Sequence, residues 1–196
     1  MPFGSSQGSN HAHQGIFVAL GANQAYGASS PLENLRAAII RLQNTGISLV
    51  RASRPWHTPA WPDPSDPPFT NACIEISTQL APEVLMATLH EIEEERGRVR
   101  TQRNAPRSLD LDLVDYRGAV IEPQYKGQLE LPHPRVAERA FVLLPLQEIA
   151  PNWHHPGSGR SINDLLCALS DQDIKACKPA DGVLCTAATG LKRGAG

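Results

Sequence analysis

The chain has 196 residues, with 18 lysines and arginines against 20 aspartates and glutamates, so its formal net charge at pH 7 is -2. This balance excludes the broad basic surface that binds a nucleic-acid backbone, and no apolar run approaches the ~20 residues that cross a bilayer. A hydrophobic content of 41% supports one domain with its own core. We therefore expect neither a nucleic-acid partner nor a membrane partner.

The ends of the chain and its cysteines indicate the domain limits and the compartment. The four cysteines show no C-x-x-C spacing, and nothing N-terminal resembles a signal peptide, so we expect a reducing, cytoplasmic location. We also expect the chain to be a monomer. Residues 1–15 are rich in glycine and serine and aperiodic, which predicts a disordered leader. Residues 170–196 also lack a period and are predicted to form a flexible tail. The folded domain is predicted to span residues 16–169.

The spacing of apolar residues predicts six main elements in the order strand, helix, strand, strand, helix, strand. They are a strand at 16–20, a helix from Pro31 to near Gly46, strands at 47–53 and 71–78, a helix from Pro82 to Gly97, and a strand that includes Asp110. A short hairpin and helices near 135–139 and 162–169 complete the domain. This order predicts an α+β fold with a ferredoxin-like split βαβ core, in which helices cover one face of an antiparallel sheet.

Leucine and aspartate alternate from Leu109 to Leu113, and this pattern carries the clearest chemical signal in the chain. On a strand, Asp110 and Asp112 leave one face and the leucines leave the other. Two carboxylates held this close tend to retain a proton unless a cation lies between them, and Mg²⁺ typically takes one or two carboxylates together with water and phosphate. A strand with one hydrated face explains a bare D-x-D equally well.

An arginine-rich segment precedes this strand. Residues 96–107 contain Arg96, Arg98, Arg100, Arg103 and Arg107, without any acidic residue. Because guanidinium groups bind phosphate oxygens bidentately, arginines followed by paired carboxylates indicate a polyphosphate held by arginine on one side and by metal on the other. A solvated charge run or a nucleic-acid loop is the alternative.

Seven short segments occur in an order that resembles the 6-hydroxymethyl-7,8-dihydropterin pyrophosphokinase family of folate biosynthesis. They are ALGAN (19–23), HTPAW (57–61), FTNA (69–72), GRVR (97–100), PRSLDLDL (106–113), LPHP (131–134) and ERAFVLLPLQEIAP (138–151). The resemblance spans about residues 16–169 and implies transfer of pyrophosphate from ATP to a pterin alcohol, with release of AMP. The fold that it implies agrees with the one that the periodicity predicts.

The resemblance also implies roles for individual residues. Asp110 and Asp112 are expected to bind two Mg²⁺ ions, and Arg98 and Arg107 are expected to be catalytic arginines. The residues expected around ATP are Glu93, Arg100, Arg103, Leu113, His133 and Arg139. The residues expected around the pterin are Phe69 and Phe141 as stacking rings, Asn71 as the amide that binds the polar edge, and Thr58 and Pro59 through their backbone.

Several of these residues have ordinary explanations when they are considered one at a time. Phe69 and Phe141 fit a hydrophobic core, Asn71 fits a turn, and His133 fits a loop fixed by backbone hydrogen bonds. A catalytically silent pterin-binding paralogue would lack the acid pair or the arginines. An RNA-binding module would need exposed aromatic residues on central strands. Neither pattern is visible.

Two departures from the family pattern concern the edges of the site. Residues 103–105 read Arg-Asn-Ala where many relatives have Arg-Trp-Gly, and the loop is one residue shorter. Residues 61–62 read Trp-Pro where relatives often have a smaller apolar residue and glycine. The sequence therefore does not predict how the arginine loop closes or what shape the rim of the pterin pocket has. The chain has no glycine-rich phosphate-binding motif, so arginines and metal must hold ATP.

Overall fold

The computed structural model describes residues 15–60, 65–97, 107–125 and 127–185. In these residues six strands form one antiparallel sheet. The strands are β1 (Ile16–Ala22), β2 (Ser48–Ala52), β3 (Trp56–Thr58), β4 (Phe69–Ser77), β5 (Asp110–Tyr116) and β6 (Lys178–Pro179). Their order in the sheet is β5-β1-β4-β3-β6, and β2 also pairs with β4. The helices are α1 (Pro31–Asn44), α2 (Pro82–Glu95), α3 (Ala140–Ile149), α4 (Ile162–Cys167) and α5 (Asp171–Ala176).

Helices α1 and α2 pack on one face of the sheet, and this arrangement confirms the predicted ferredoxin-like core. α1 begins at a capping box, in which the Ser30 hydroxyl accepts the Glu33 backbone N–H and the Glu33 carboxylate accepts the Ser30 N–H. Pro31 fits the first helical position because the missing N–H would have no partner there. The buried core on this face includes Val18, Leu20, Leu35, Ile39, Ile74, Leu85, Leu89, Leu109, Leu111 and Leu113.

Helix α3 covers the opposite face, so the sheet lies between two helical layers rather than under one. The sequence does not predict α3, because Pro145 lies inside it and its side chains are apolar nearly all round. Val142, Leu143 and Leu146 are buried there against strand residues and Trp153. The helix predicted near residues 135–139 is a single 3-10 turn, Val136–Glu138.

The C-terminal segment differs from the flexible tail predicted for residues 170–196. Residues 171–185 contain α5 and β6, and β6 extends the sheet by pairing Lys178 with His57 of β3. Leu184 is 5% exposed and packs in the core beneath α1 and α2, and the Arg36 side chain donates two hydrogen bonds to the Val183 carbonyl. Such short elements have no period for the sequence to reveal. Residues 186–196 and the leader residues 1–14 lie outside the described part.

A β-bulge changes the alternation of side chains in β5. Leu113 pairs with Val18 and Asp115 pairs with Phe17, so Val114 is an extra residue between them. Val114 and Asp115 therefore both face α3, where Val114 packs among buried apolar residues and Asp115 is 1% exposed. The bulge lies directly after the two aspartates and ends the alternating part of the strand.

Candidate active site

One row of the sheet carries an acid, a glycine and a buried amide on three adjacent strands. Gly21 of β1 pairs with Asp110 of β5 on one side and with Asn71 of β4 on the other. A methyl group added at Gly21 would lie 2.8 Å from the Asn71 Oδ1 and 3.9 Å from both the Asp110 Cβ and a ring carbon of Phe69. Because Gly21 has no side chain, it forms an open floor between these three residues.

Each carboxylate of the acid pair contacts an arginine. The Arg107 Nη1 lies 2.5 Å from the Asp110 Oδ2, and the Arg139 Nη1 lies 3.1 Å from the Asp112 Oδ2. The Asp110 and Asp112 side chains are 19% and 34% exposed, whereas the neighbouring Leu111 is 1% exposed in the core under α1 and α2. The alternation predicted for this strand is therefore confirmed.

His133 lies beside Asp112, with 3.9 Å between its Nε2 and the Asp112 Oδ2. Its backbone N–H donates to the Val114 carbonyl at the bulge, and its Nδ1 accepts the backbone N–H of Arg135 at 3.1 Å. A neutral ring with Nδ1 as acceptor carries its proton on Nε2, the atom nearer to Asp112. Burial lowers the pKa of His133, Asp112 opposes this shift, and the neighbouring Arg139 reinforces it. The imidazole is therefore mainly neutral at pH 7.

Three of the residues predicted to bind the pterin, Thr58, Phe69 and Asn71, lie on the same face of the sheet as the acid pair. Asn71 is 5% exposed, and its Nδ2 donates to the Thr58 Oγ1 at 2.7 Å. Phe69 pairs with Thr58 across β4 and β3, and its ring lies near Gly21. Pro59 follows β3 and is exposed. β3 itself, which holds Thr58, lies between the strands predicted at 47–53 and 71–78, where the sequence predicts no strand or helix.

Arg139 connects the acid pair with the second predicted pterin ring. Its guanidinium carbon lies 5.5 Å from the centre of the Phe141 ring while its Nη1 contacts Asp112. Arg139 directly precedes α3 and Phe141 is the second residue of this helix, which crosses this face of the sheet. The structure therefore brings the predicted ATP side and the predicted pterin side together at one arginine.

Two residues predicted near the nucleotide have buried side chains. Glu93 of α2 is 1% exposed and accepts the backbone N–H of Leu111 at 2.7 Å, which supports the outer edge of β5. Leu113 is fully buried in the core under α1 and α2, on the face opposite to the aspartates. The Leu113 side chain therefore does not face the site, and only its backbone could contact a nucleotide there. A nucleotide contact by Glu93 stays a prediction.

Other predicted residues lie outside the described part of the chain. Arg98, Arg100 and Arg103 belong to residues 98–106, which also contain the Asn104-Ala105 departure, and the Trp61-Pro62 departure belongs to residues 61–64. The roles of these arginines and the shape of the pocket rim remain predictions.

Three residues of the site have no role predicted from the sequence. Gly21 and Asn23 lie in the segment ALGAN, where a glycine and a polar residue directly after an apolar strand are the available signal. Trp56 pairs with Asn71, and its buried indole N–H has no hydrogen-bond partner among the described residues. Their positions depend on how β1, β3 and β4 pair, which local patterns do not specify.

The donor atoms of the acid pair suit Mg²⁺, and they are too few for a metal that is coordinated by protein ligands alone. No group of three or more histidine, cysteine, aspartate or glutamate side chains within the described residues could hold a metal ion. Asp110 and Asp112 supply hard oxygen donors on one face of a strand. Mg²⁺ commonly binds through one or two carboxylates and completes its coordination with water and substrate phosphates.

The sequence model of the 7,8-dihydro-6-hydroxymethylpterin-pyrophosphokinase family matches residues 17–151. This chain belongs to that family. It is 39% identical over 153 residues to a 2-amino-4-hydroxy-6-hydroxymethyldihydropteridine pyrophosphokinase of Synechocystis sp., with 78% of this chain and 74% of that protein covered. The protein of the same name from Pseudomonas aeruginosa is 35% identical over 163 residues, with coverage of 83% and 96%. The chain is thus a transferase, a pyrophosphokinase of folate biosynthesis that acts on small molecules.

Solved structures of this family show the same fold. The HPPK-DHPS chain of Plasmodium falciparum, solved with pteroate, matches with a TM-score of 0.61 at 12% identity and covers 77% of this chain. This pyrophosphokinase chain spans only 43% of the Plasmodium chain, so the likeness concerns one part of a longer protein. Among the described residues, no helix has the length and apolar character needed to cross a membrane.

Proposed function

We propose that the chain transfers the β,γ-pyrophosphate of ATP to the hydroxymethyl group of 6-hydroxymethyl-7,8-dihydropterin, giving AMP and the pterin diphosphate. The observation that carries the assignment of the site is the row formed by Asp110, Gly21 and Asn71. It puts a carboxylate suited to the phosphate side and an amide suited to the pterin side on either side of a glycine floor.

Arginines and carboxylates form the phosphate half of the proposed site. Arg107 and Arg139 lie next to the aspartates and offer planar donors to phosphate oxygens, and by resemblance Arg98, Arg100 and Arg103 extend this set. Asp110 and Asp112 would hold two Mg²⁺ ions. Bound Mg²⁺ would supply charge neutralisation at the phosphoryl oxygens, which lowers the barrier to their substitution.

Two rings and one oriented amide form the pterin half. Because the Asn71 Nδ2 donates to Thr58, the amide is held with its Oδ1 towards Gly21. A pterin edge that presents N–H donors finds an acceptor in this oxygen. Phe69 and Phe141 offer aromatic faces for a flat heterocycle, which stacks favourably on such rings.

The proposed reaction depends on positioning and charge rather than on a protein base. The hydroxymethyl oxygen attacks the β-phosphorus in line and its proton passes to water, while the bond from the β-phosphorus to the α-phosphate oxygen breaks and AMP leaves from the opposite side. The His133 Nδ1 already accepts a backbone N–H, so this nitrogen is not available to remove the hydroxyl proton. No other side chain of the described part of the site is placed as an evident general base.

The products of one incubation test this proposal. The chain is mixed with ATP, MgCl₂ and the reduced pterin alcohol, and the quenched mixture is separated by chromatography. We expect AMP and pterin diphosphate in equal amounts, and no AMP when the pterin is left out. ADP as the main nucleotide product would instead indicate transfer of a single phosphoryl group and would remove the proposed attack at the β-phosphorus.

We also propose that the chain acts as a monomer in the reducing cytoplasm. The residues assigned to the site all belong to one chain, and its four cysteines are free thiols. Light scattering during size-exclusion chromatography should give a mass near 21.2 kDa. A mass twice as large would contradict the monomer.

A further inference from the structure

Asn23 directly follows β1 and hydrogen-bonds to two loops of the proposed site. One loop ends at Arg107 on the phosphate side, and the other contains Pro67 on the pterin side. Asn23 is 4% exposed, its Oδ1 accepts the backbone N–H of Arg107 at 2.7 Å, and its Nδ2 donates to the Pro67 carbonyl at 3.2 Å. The backbone N–H groups of Asn23 and Gln24 also donate to the Arg107 carbonyl, at 2.9 and 3.1 Å. One buried amide thus uses its acceptor for one loop and its donor for the other.

The two loops lead directly to residues of the site. Arg107 ends the arginine-rich segment and contacts Asp110 through its side chain. Pro67 lies two residues before Phe69, the first residue of β4, and Asn71 follows on the same strand. A shift of the Arg107 backbone would move the Asn23 side chain with it. The hydrogen bond from Asn23 to the Pro67 carbonyl would then be strained or broken, unless both loops move together.

The loop that begins at Asn23 also contacts the other end of the arginine-rich segment. A methyl group added at Gly97 would lie 2.6 Å from a ring carbon of Tyr26, and the Arg96 guanidinium lies 6.0 Å from the centre of this ring. The Ser108 hydroxyl donates to the Arg96 carbonyl, which ties the two ends of the segment together. Residues 23–26 therefore hold both ends of the segment that is proposed to bind phosphates.

We propose that Asn23 is a positioning residue that couples the binding of ATP to the binding of the pterin. This inference rests on the proposed function, because it concerns the two halves of that site. A ligand that fixes the backbone of Arg107 also fixes that of Pro67 through Asn23, since an unpaired buried amide is costly. By linkage, each ligand then raises the affinity of the other by the same factor.

The coupling can be measured without turnover. Calorimetry gives the pterin Kd of the wild-type chain in the presence and absence of a non-hydrolysable ATP analogue with Mg²⁺, and the ratio of the two values is the coupling factor. We expect a factor of at least ~5, the lower end of typical coupling between sites. In Asn23→Ala the factor should fall to about 1–2, while the pterin Kd without nucleotide changes less than the factor does.

Asn23→Asp and Thr78→Ala separate coupling from stability. Aspartate keeps an acceptor for the Arg107 N–H but cannot donate to the Pro67 carbonyl, so it should also lose the coupling. Thr78 is 7% exposed, and its hydroxyl accepts the Leu80 N–H at 3.2 Å beyond the far end of β4. Thr78→Ala therefore removes a buried polar partner away from the site and should retain the wild-type coupling factor.

Hydrogen exchange of the wild-type chain keeps the inference testable if the variants fold poorly. The nucleotide analogue alone should slow amide exchange in peptides that cover residues 65–71, which belong to the pterin side. Each of three results would overturn the inference. They are an unchanged amide exchange rate in residues 65–71, a wild-type coupling factor near 1, and a wild-type coupling factor that is kept in Asn23→Ala. If the wild-type chain still produces AMP in these cases, the proposed function stands and only the role of Asn23 is lost.

Discussion

The two faces of β5 separate stability from chemistry within one strand. On one face Leu111 and Leu113, together with Leu109 directly before the strand, are at most 1% exposed and pack beneath α1 and α2. On the other face Asp110 and Asp112 are partly exposed and contact arginines. Because the buried leucines fix the strand, the carboxylates are held in place without being buried themselves. Neighbours in sequence should therefore respond to substitution in opposite ways.

The largest expected effect is the loss of turnover in Asp110→Ala or Asp112→Ala. Either change removes a proposed Mg²⁺ ligand, and charge stabilisation by a metal contributes several kcal/mol to such reactions, so kcat should fall at least ~10³-fold. The unfolding free energy should fall less than in a leucine variant of the same strand, because both carboxylates face the site rather than the core. Steady-state kinetics and urea denaturation measure the two quantities. More than a tenth of wild-type kcat in either variant would remove the metal-ligand assignment.

The opposite pattern is expected one residue away, in Leu111→Ala. Truncation of a fully buried leucine typically costs ~2–5 kcal/mol of unfolding free energy, because a cavity remains beside α2. Turnover per folded molecule should be retained at temperatures well below the unfolding midpoint. Urea denaturation and kinetics on the same preparation test the contrast with Asp112→Ala. A Leu111→Ala variant that folds stably but loses turnover would show that the two faces of β5 are not separable.

Leu184→Ala extends the same comparison to the C-terminal segment. Leu184 shares the core of Leu111 but lies in an irregular segment after β6 rather than in a central strand, so the backbone around it has fewer fixed hydrogen bonds and can relax around a cavity. The loss of unfolding free energy should therefore lie at or below the low end of the ~2–5 kcal/mol range. No loss at all would contradict the packing of this segment against α1.

The contrast between predicted and unpredicted elements of the fold has physical causes. α1 is predictable because its capping box, its proline at the first position and its apolar spacing agree. α3 is not predictable, because it is apolar on nearly all sides and contains Pro145. β3 and β6 have three and two residues, too few to show a strand period, and they form only because β4 and β3 offer them an edge.

The site divides in the same way between local and long-range information. The alternation that places Asp110 and Asp112 on one face is local, so the sequence predicts it. The neighbourhood of Gly21 and Asn71 depends on the register of two strands that are 50 residues apart in sequence. The β-bulge at Val114, which provides the carbonyl for His133, also depends on the partner strand. The resemblance supplied residue roles here, whereas the structure shows which residues lie side by side.

The smallest expected effect concerns two buried threonines, Thr58 of β3 and Thr70 of β4, whose side chains lie on opposite faces of the sheet. Thr58 and Thr70 are 6% and 5% exposed, but the Thr58 hydroxyl accepts the Asn71 amide, whereas the Thr70 side chain leaves the opposite face of the sheet and contacts His57. Valine preserves the shape of threonine and removes only the hydroxyl. In Thr58→Val the Asn71 amide loses the partner that orients it, so pterin binding should weaken by ~0.5–1.5 kcal/mol, the usual net value of one hydrogen bond.

The same substitution at Thr70 is the matched control, because it lies next to Asn71 in sequence and is equally buried. Thr70→Val should leave the pterin Kd unchanged, whatever it does to stability. Calorimetry of both variants, with pterin in the presence of a non-hydrolysable ATP analogue, measures the difference. If both valine variants weakened pterin binding equally, the orientation of Asn71 would not depend on Thr58, and the proposed acceptor for the pterin edge would have to come from another residue on this face of the sheet.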